Sequence, residues 1–333
     1  MPTRSTSPGK ARIGDVARAA GVSVGTVSKA LNGTGSLKQE TRDRVQSVAD
    51  RLGFVADPRG RGLSQGRSYT VGFLTTDSFG RFSMPILMGA EDALAVGKMA
   101  VILSDTRDDY AREQHLLRSL HERRVDGLII TNRPQGISGP LTSSIPTVYT
   151  FDTPDSPDEL AVVSDRAHSI TLAVEHLLAL GRTRLLHISG PLRARTAPVK
   201  AAAVRDAAGD HLVQPSMHGT WSEAWGRRAV DIAIASGVDF DGICCDSDQI
   251  ARGALERLRA HGRSIPEDVA ITGFGNWDAM VDATVPGLTS IDQDLTEIGR
   301  LAGTLLLDVL EGREVADRQI VVPSQIVVRG STI

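Results

Sequence analysis

The sequence has few of the residues and segments on which catalytic, secreted and membrane proteins depend. Among 333 residues only Cys244 and Cys245 are cysteines, and adjacent cysteines supply neither a metal-ligand spacing nor a CxxC redox pair. The apolar runs are far too short to span a bilayer, and no charged segment followed by an apolar one opens the chain. We therefore expect a cytoplasmic protein whose cysteines are small buried residues on opposite faces of a strand.

Motifs that carry catalysis are also missing. The chain shows no phosphate-binding glycine-rich loop, no His/carboxylate motif and no metal-ligand spacing, and its histidines are scattered. We expect no enzymatic activity, no cofactor and no bound metal. A hydrophobic content of 41% is nevertheless enough to bury ordinary cores, and the length suits two or three domains.

Charge is distributed unevenly along the chain. Residues 1–67 contain twelve Lys and Arg against five Asp and Glu, whereas acidic residues are in excess in the remainder, so that the formal net charge is -3. A basic head on an acidic body indicates that the head binds a polyanion.

The head contains the pattern of two short helices joined by a tight turn. In IGDVARAA the apolar residues recur at the spacing of one helical face (Ile13, Val16, Ala17 and Ala20). Gly21 is suited to end this helix and Ser23 to cap the next one, VGTVSKAL. A third helix is predicted in TRDRVQSVADRLGF. The pattern is that of a helix-turn-helix motif, whose second helix lies in the major groove of DNA.

The residue types of this second helix suit contact with DNA. Small residues let the backbone approach the bases, Val24 can contact a thymine methyl group, and Lys29 can reach guanine or phosphate. The expected DNA-binding residues are Ser23, Val24, Gly25, Thr26, Ser28, Lys29 and Asn32.

The body alternates between strand and helix patterns from Tyr69 onward. Its strands, such as YTVGFLTT and VDGLIIT, are almost continuously apolar. Such strands are typical of parallel sheets covered by helices on both faces, and the length fits two doubly wound lobes. Because ligands of such folds bind beyond the carboxyl ends of the strands, the cleft between the lobes is the expected site.

Several stretches resemble the LacI family of bacterial repressors. The head reads D-V-A-x-x-A-G-V-S-x-x-T-V-S-K-A-L-N from Asp15, and the body reads V-E-H-L-L-A-L-G from Val174 and I-P-E-D-V-A-I-T-G-F from Ile265. The resemblance covers nearly all of residues 12–330. It implies a small all-α helix-turn-helix head, a periplasmic-binding-protein-like α/β body, and a homodimer.

The resemblance also implies the domain boundaries and a hinge. The expected divisions are a tail (1–11), the head (12–56), a hinge (57–68) and the body (69–333), with a first lobe of about 69–164 and 292–318 and a second of about 165–290 and 320–333. The hinge would fold on DNA, where Arg61 and Leu63 match a basic residue and a leucine wedge in the minor groove. Its glycines each cost a helix about 1 kcal/mol, and the alternative is a plain flexible linker.

The effector pocket departs from the sugar-binding members. Pro198 stands at the position of a sugar-binding arginine by ungapped count, with Arg195 or Lys200 as substitutes, and Gly275 replaces an acidic residue. The candidate effector-binding residues are Asp77, Phe79, Phe82, Arg195, Trp221, Ser247, Asp248 and Asn276. Structural alternatives stay open: Trp221 as core, Phe79 and Phe82 as packing, Asp77 as a turn residue, and Asp248 as a helix cap.

These observations favour a repressor that binds a pseudo-palindromic DNA operator and responds to a small polar effector, most simply a sugar. The alternatives are a regulator with a non-sugar or protein co-effector, a solute-binding protein, for which the body alone would suffice, and an enzyme on an α/β fold. The head and the absence of a signal-peptide pattern argue against the solute-binding protein, and the missing catalytic motifs give no support to the enzyme.

Overall fold

The computed structural model describes residues 11–32, 35–54, 67–78, 80–133, 144–151, 154 and 156–333. The chain forms two compact units that meet in sequence between Tyr69 and Thr70. The first is an all-α head and the second contains two α/β lobes, so the predicted fold class is confirmed.

The head consists of helices α1 (Ile13–Ala20), α2 (Val24–Asn32) and α3 (Gln39–Arg51). Helix α1 has the predicted bounds, because Gly21 adopts a left-handed conformation with φ of 66° and ends it. One face of each helix packs into a shared apolar core, formed by Val16, Ala17, Ala20, Val27, Ala30, Val45, Val48 and Ala49.

The first lobe is built on a six-stranded parallel sheet. Its strands are β1 (Thr70–Thr75), β2 (Ala100–Asp105), β3 (Gly127–Ile130), β4 (Thr147–Thr150), β5 (Leu160–Ser164) and β11 (Gln319–Val322), in the order β11-β5-β4-β3-β1-β2. Its helices are α4 (Ser83–Val96), α5 (Tyr110–Glu122) and α11 (Leu295–Leu310).

The second lobe repeats this plan. Its strands are β6 (Leu185–Ser189), β7 (Met217–His218), β8 (Gly242–Cys245), β9 (Ala270–Phe274), β10 (Thr289–Asp292) and β12 (Gln325–Val327), in the order β12-β10-β9-β8-β6-β7. Its helices are α6 (Arg166–Ala179), α7 (Thr196–Ala208), α8 (Glu223–Ala235), α9 (Asp248–Ala260) and the short α10 (Asp278–Val281). Only β12 runs antiparallel to its neighbour among these named strands, which departs from the expectation of purely parallel sheets.

The chain passes between the lobes three times: after β5, after β10 and after β11. The second lobe was expected to resume at about residue 320, but the strand pairing places this crossing a few residues later. Residues Ile320–Val322 pair with β5 of the first lobe, so the third crossing lies at residues 323–324. Likewise β10 keeps Asp292 in the second lobe, two residues beyond the expected end.

Glycines allow the closest helix contacts in both lobes. A Cβ on Gly89 of α4 would lie 2.0 Å from the backbone oxygen of Thr296 in α11, and one on Gly253 of α9 would lie 2.0 Å from that of Glu223 in α8. Each lobe therefore has a tight helix pair that fixes the helices following β1 and β8, and with them the loops that precede those helices.

Candidate functional site

The turn before α2 is closed by hydrogen bonds that position the start of this helix. The backbone N–H of Val22 donates to the carbonyl oxygen of Ala17 at 3.1 Å. The side-chain oxygen of Ser23 accepts from the backbone N–H of Thr26 at 3.1 Å, which is the expected capping interaction. Ser23 therefore fixes where α2 begins, whether or not it also contacts DNA.

Helix α2 has one buried and one exposed face. Val27 and Ala30 are buried in the core of the head, whereas Val24 is 48% exposed although it is apolar. Gly25 and Lys29 are exposed as well, and Thr26 and Ser28 are partly so. An apolar side chain beside a glycine and a lysine on one exposed helix face is suited to a base edge flanked by phosphates.

Packing within the head does not require glycine at position 25. The nearest atom to a Cβ placed there would be Oγ of Ser23 at 3.7 Å, an ordinary contact distance. Since alanine is the better helix former by roughly 1 kcal/mol, the fold alone would favour it. The absence of a side chain at position 25 therefore leaves space on the exposed face of α2, where a molecule outside the head can approach the backbone.

In the body, several predicted effector residues follow the carboxyl ends of strands. Asp77 comes after β1, Ser247 after β8 and Asn276 after β9. This edge of each sheet faces the ligand site in doubly wound folds. The contacts of these residues show how much of each side chain is already engaged within the protein.

Asp77 holds the loop between β1 and α4. One of its carboxylate oxygens accepts from the backbone N–H groups of Phe82 at 2.6 Å and Ser83 at 3.1 Å, at the start of α4. The ring of Phe82 lies against that of Phe151, with 4.4 Å between centroids. The structure thus assigns Asp77 a turn-forming role and makes Phe82 and Phe151 a pair of aromatic rings at the carboxyl edge of the first sheet.

Ser247 and Asp248 anchor the start of α9. Ser247 is the helix cap, since its Oγ accepts from the backbone N–H of Ile250 at 3.3 Å, so the alternative that Asp248 caps this helix is wrong. Asp248 instead accepts from Oγ of Ser290 at 2.5 Å and from the backbone N–H of Trp277 at 2.8 Å. Burial raises the pKa of Asp248 above its ordinary value, although these hydrogen bonds oppose the shift.

Asn276 is tied to the C-terminal segment. Its amide Nδ2 donates to Oδ2 of Asp292 at 3.2 Å, and its Oδ1 accepts from Nη1 of Arg329 at 2.9 Å. An effector that binds Asn276 would therefore share this amide with Arg329, which belongs to the segment following β12.

Lys200 lies at the carboxyl edge of the second sheet. It is only 4% exposed, whereas Arg195 and Pro198 are exposed. Its ammonium donates to the carbonyl oxygen of Asp246 at 3.1 Å and lies 3.2 Å from the centroid of the Phe274 ring. Burial lowers the pKa of Lys200 to about 8, with the charge of Asp246 acting against this shift. Of the two candidate substitutes for the arginine, Lys200 is buried at the strand ends, whereas Arg195 is exposed.

Asp246 connects Lys200 to a buried polar network. Its carboxylate contacts Nε2 of His187 at 3.1 Å and accepts a short hydrogen bond from Oγ of Ser189. Nδ1 of His187 in turn lies 2.7 Å from Oγ of Ser216. Burial raises the pKa of Asp246, but Lys200, His187 and Ser189 outweigh this effect, so the pKa is lowered and the carboxylate stays ionised.

Trp221 is neither fully core nor fully surface. It is partly buried and packs against the apolar core of the second lobe. A Cβ on Gly190, the residue after β6, would lie 2.3 Å from its indole ring. The indole therefore lies directly on the backbone at the carboxyl end of a strand, where glycine is required.

Arg81 joins the two lobes. Its Nη1 donates to Oε1 of Gln249 in α9 at 2.5 Å, and its Cζ lies 4.2 Å from the centroid of the Phe82 ring. Burial lowers the pKa of Arg81 from its ordinary value, while the carboxylates of Asp77 and Asp248 act against this shift. A charged side chain of the first lobe thus reaches the start of α9 in the second lobe, where the predicted effector residues Ser247 and Asp248 lie.

Four predicted residues lie wholly or partly outside the described residues. Asn32 ends α2, but its side chain is not among them, and neither are Arg61, Leu63 and Phe79. Their roles in DNA and effector binding stay predictions.

The cysteines are buried in β8, Cys244 in one apolar cluster and Cys245 in another, so the prediction that they face opposite sides of a strand is confirmed. Burial raises the pKa of Cys244 to about 12. Within the described part of the chain, no helix is both long and apolar enough to cross a membrane, and no group of three or more His, Cys, Asp or Glu could hold a metal ion.

Known proteins resemble both units. Residues 12–57 match the bacterial regulatory proteins of the lacI family, and residues 174–332 match a periplasmic binding protein-like domain. The HTH-type transcriptional regulator GntR of Pseudomonas aeruginosa is 30% identical over 342 aligned positions, which cover 99% of this chain and 97% of that protein. The chain belongs to the LacI family.

The wider comparisons agree with this assignment. Catabolite control protein A of Staphylococcus epidermidis is 27% identical, covering 96% of this chain and 98% of the relative. A crystal structure of the Lac repressor dimer bound to operator and the anti-inducer ONPF shares the fold, with a TM-score of 0.83 at 22% identity over 97% of this chain and 99% of that one. The transcriptional regulator CelR in complex with cellobiose has a TM-score of 0.69 at 24% identity, covering 96% and 99%.

Membership in the LacI family makes this chain a DNA-binding transcription regulator and not an enzyme, as expected. Sequence reasoning missed Arg81, Asp246 and His187 as members of the candidate site. Lys200 was named as a candidate, and periodicity also indicates that it is buried, because it shares a helical spacing with the buried residues Ala197, Val204 and Ala208.

Proposed function

We propose that this LacI-family regulator is a homodimeric repressor whose affinity for a pseudo-palindromic operator is changed by a small polar effector bound between the lobes. The observation that carries the DNA-binding part is the exposed face of α2, where Val24 is half exposed and Gly25 leaves room that packing within the head does not use. Such a regulator acts in the cytoplasm, where bacterial DNA lies.

Each head would read one half-site. Val24 would contact a thymine methyl group and Lys29 a guanine or phosphate, while the hydroxyl groups beside them would bond phosphates or base edges. The set proposed for direct contact is Ser23, Val24, Gly25, Thr26, Ser28, Lys29 and Asn32. In the hinge, Leu63 would insert into the minor groove with Arg61 beside it.

An exposed apolar stripe in the first lobe supports a dimer. Met84 is 43% and Met88 60% exposed, and they lie one turn apart on the same face of α4. Leu103 on the edge strand β2 is exposed as well. A second copy of the chain would bury these side chains. Met84→Asp with Met88→Asp would make the protein sediment as a monomer, whereas Arg118→Ala, a change at an exposed residue of α5 outside the stripe, would leave it a dimer.

The effector would lie at the carboxyl edges of both sheets. The aromatic rings of Phe82, Phe151 and Trp221 offer apolar faces, and Lys200 offers a buried cation. Rings and hydrogen-bonding groups together suit a polyol such as a sugar or sugar derivative. The cellobiose complex of the structurally similar CelR supports a saccharide as the first class to test.

The effector can be sought by thermal shift and tryptophan fluorescence. A ligand that binds only the native state raises the melting temperature. The three tryptophans, Trp221, Trp225 and Trp277, all belong to the second lobe, so their emission reports on that side of the site. A panel of mono- and disaccharides, polyols, sugar acids and sugar phosphates should give at least one compound that shifts both signals and alters operator affinity. If no compound does so while DNA binding is intact, a small polar effector is contradicted.

A further inference from the structure

Arg81 occupies a position between the lobes that the proposed function does not use. It precedes α4 in the first lobe, and its hydrogen-bond acceptor, Gln249, lies in the first turn of α9 in the second lobe, 168 residues further along the chain. Gln249 directly follows Ser247 and Asp248. The guanidinium therefore lies beside residues that the effector is expected to contact.

Both lobes contribute to holding this guanidinium. Asp77 of the first lobe and Asp248 of the second both attract it. Each of these carboxylates is itself fixed, Asp77 by backbone N–H groups at the start of α4 and Asp248 by Trp277 and Ser290. The guanidinium is thus attracted by two fixed carboxylates that belong to different lobes, and its hydrogen bond to Gln249 is charge-assisted, a kind of contact that is stronger than a neutral one.

A second cation continues the link toward the first crossing between the lobes. The Cζ of Arg81 is 4.2 Å from the Phe82 ring, the Phe82 and Phe151 rings are 4.4 Å apart, and the Cζ of Arg166 is 4.6 Å from the Phe151 ring. Arg166 is the first residue of α6 in the second lobe. Each of these two aromatic rings of the first lobe therefore contacts a guanidinium group. The guanidinium of Arg81 also contacts Gln249 of the second lobe, and that of Arg166 belongs to the second lobe itself.

We propose that Arg81 is an internal latch that holds the lobes together without effector, and that an effector acts by displacing its guanidinium from Gln249. Only the second step, displacement of the guanidinium by an effector, rests on the proposed function. The first step, in which Arg81 holds the lobes together, is a property of the chain itself. An effector that needs the same space would have to break the contact, so its apparent affinity would be reduced by the fraction of molecules in which the latch is formed.

The latch can be tested by measuring the distance between the lobes in the full-length protein. Ala111→Cys at the start of α5 and Leu192→Cys after β6 introduce exposed labelling sites near the carboxyl edge of each sheet, while Cys244 and Cys245 are buried. Distances between spin labels would be compared in this background and after addition of Arg81→Met, Gln249→Leu or both. Arg112→Met serves as the control, because the Nε of Arg112 donates to Asp105 within the first lobe.

The proposal predicts that Arg81→Met and Gln249→Leu each lengthen the distance between the lobes, that the double variant goes no further, and that Arg112→Met matches the background. The two changes approach the same contact from different lobes, so failure of one variant to fold leaves the other as a test. A background distance distribution in a folded Arg81→Met or Gln249→Leu variant overturns the proposal.

The second step needs an effector, for which a compound found in the thermal-shift panel is the probe. Its affinity should increase by about tenfold in Arg81→Met, the range expected when a hydrogen bond to a charged group no longer competes. Unchanged or weaker effector binding in Arg81→Met would overturn the claim that the effector displaces the guanidinium. Since the distance measurement uses neither DNA nor ligand, its result does not depend on whether the chain proves to be an effector-controlled repressor.

Discussion

The side-chain oxygen of Ser23 lies 3.1 Å from the backbone nitrogen of Thr26 and 2.9 Å from the hydroxyl oxygen of the same residue. These two contacts fix the first turn of α2, and with it the direction in which Val24 and Gly25 are exposed. The residues proposed to meet DNA are thus presented by a turn whose geometry depends on interactions within the head. Because these contacts do not involve the side chain at position 25, a substitution there can change DNA binding without changing the fold of the head.

Gly25→Ala should weaken operator binding without destabilising the head. A Cβ at position 25 meets no atom of the head closer than 3.7 Å, and alanine should stabilise α2 by up to about 1 kcal/mol. On DNA the added methyl group would prevent close approach, so we expect affinity to fall by about tenfold or more, roughly the value of one base contact. Fluorescence anisotropy would give the affinity, and hydrogen exchange of the α2 amides the local stability. Ser47→Ala on the exposed face of α3 is the control, and equal affinities for both variants would contradict the proposed placement of α2.

Lys29→Gln should reduce the salt dependence of operator binding. If Lys29 neutralises a phosphate, its loss lowers the slope of log K against log salt concentration by about 0.9. Lys98→Gln, which changes an exposed lysine of the first lobe, should leave the slope as it is. Titrations between roughly 50 and 200 mM salt would measure this. A slope equal to that of the wild type, with relaxed sequence preference, would instead assign Lys29 to a base.

Lys200 should make the stability of the body vary with pH in the alkaline range. In the folded chain its pKa is lowered to about 8 from 10.5, so between these values the unfolded chain binds a proton that the folded chain does not. The free energy of unfolding should therefore rise with pH across this window, by at most about 1.4 kcal/mol per pH unit from this group. Below pH 8 the ammonium is charged in the folded chain, and its burial destabilises the fold most there.

This pH dependence can be isolated with Lys200→Met. The groups facing the ammonium are Asp246, Cys244, Asp248 and Arg166, and all of them remain in that variant. Urea unfolding at several pH values should show the rise in wild type and in the control Lys98→Met, and a smaller rise in Lys200→Met. Parallel profiles for all three proteins would show that Lys200 titrates normally.

Gly190→Ala should weaken effector binding through Trp221. The added Cβ would lie 2.3 Å from the indole, so the ring has to move away from the strand end. We expect effector affinity to fall by about tenfold or more, the range for losing an aromatic contact, and operator affinity without effector to change by less than about twofold. Gly14→Ala in α1, where a Cβ meets nothing within 4 Å, controls for the substitution. Unaltered effector binding would exclude Trp221 from the site.

The fold could largely be predicted from the sequence where local signals were strong. Helix α1 has the predicted bounds because a clear period of apolar residues ends at a glycine in a left-handed conformation. The third crossing was misplaced because VVPSQIVV has similar apolar stretches on both sides of Pro323, and only pairing shows that the first belongs to β11 and the second to β12.

The site was less predictable because it depends on contacts between distant segments. Arg81 and Gln249 are 168 residues apart, and no local pattern indicates that their side chains meet. Asp248 and Asn276 were expected to bind effector because they match strand-end positions of the family that the chain resembles, but the structure shows both engaged with Ser290, Trp277, Asp292 and Arg329. Strand-end position predicts which residues gather at an edge, but it cannot show which of them already have a partner.

The central claim is that the helical head reads a DNA sequence as part of a dimer. The most direct test is to select binding sites for the purified full-length protein from random double-stranded DNA and to sequence the retained fragments. The account predicts one enriched pseudo-palindrome with two half-sites, whose enrichment is reduced in Gly25→Ala and unchanged in Ser47→Ala. Retention of DNA without any enriched sequence, or equal enrichment by both variants, would contradict it.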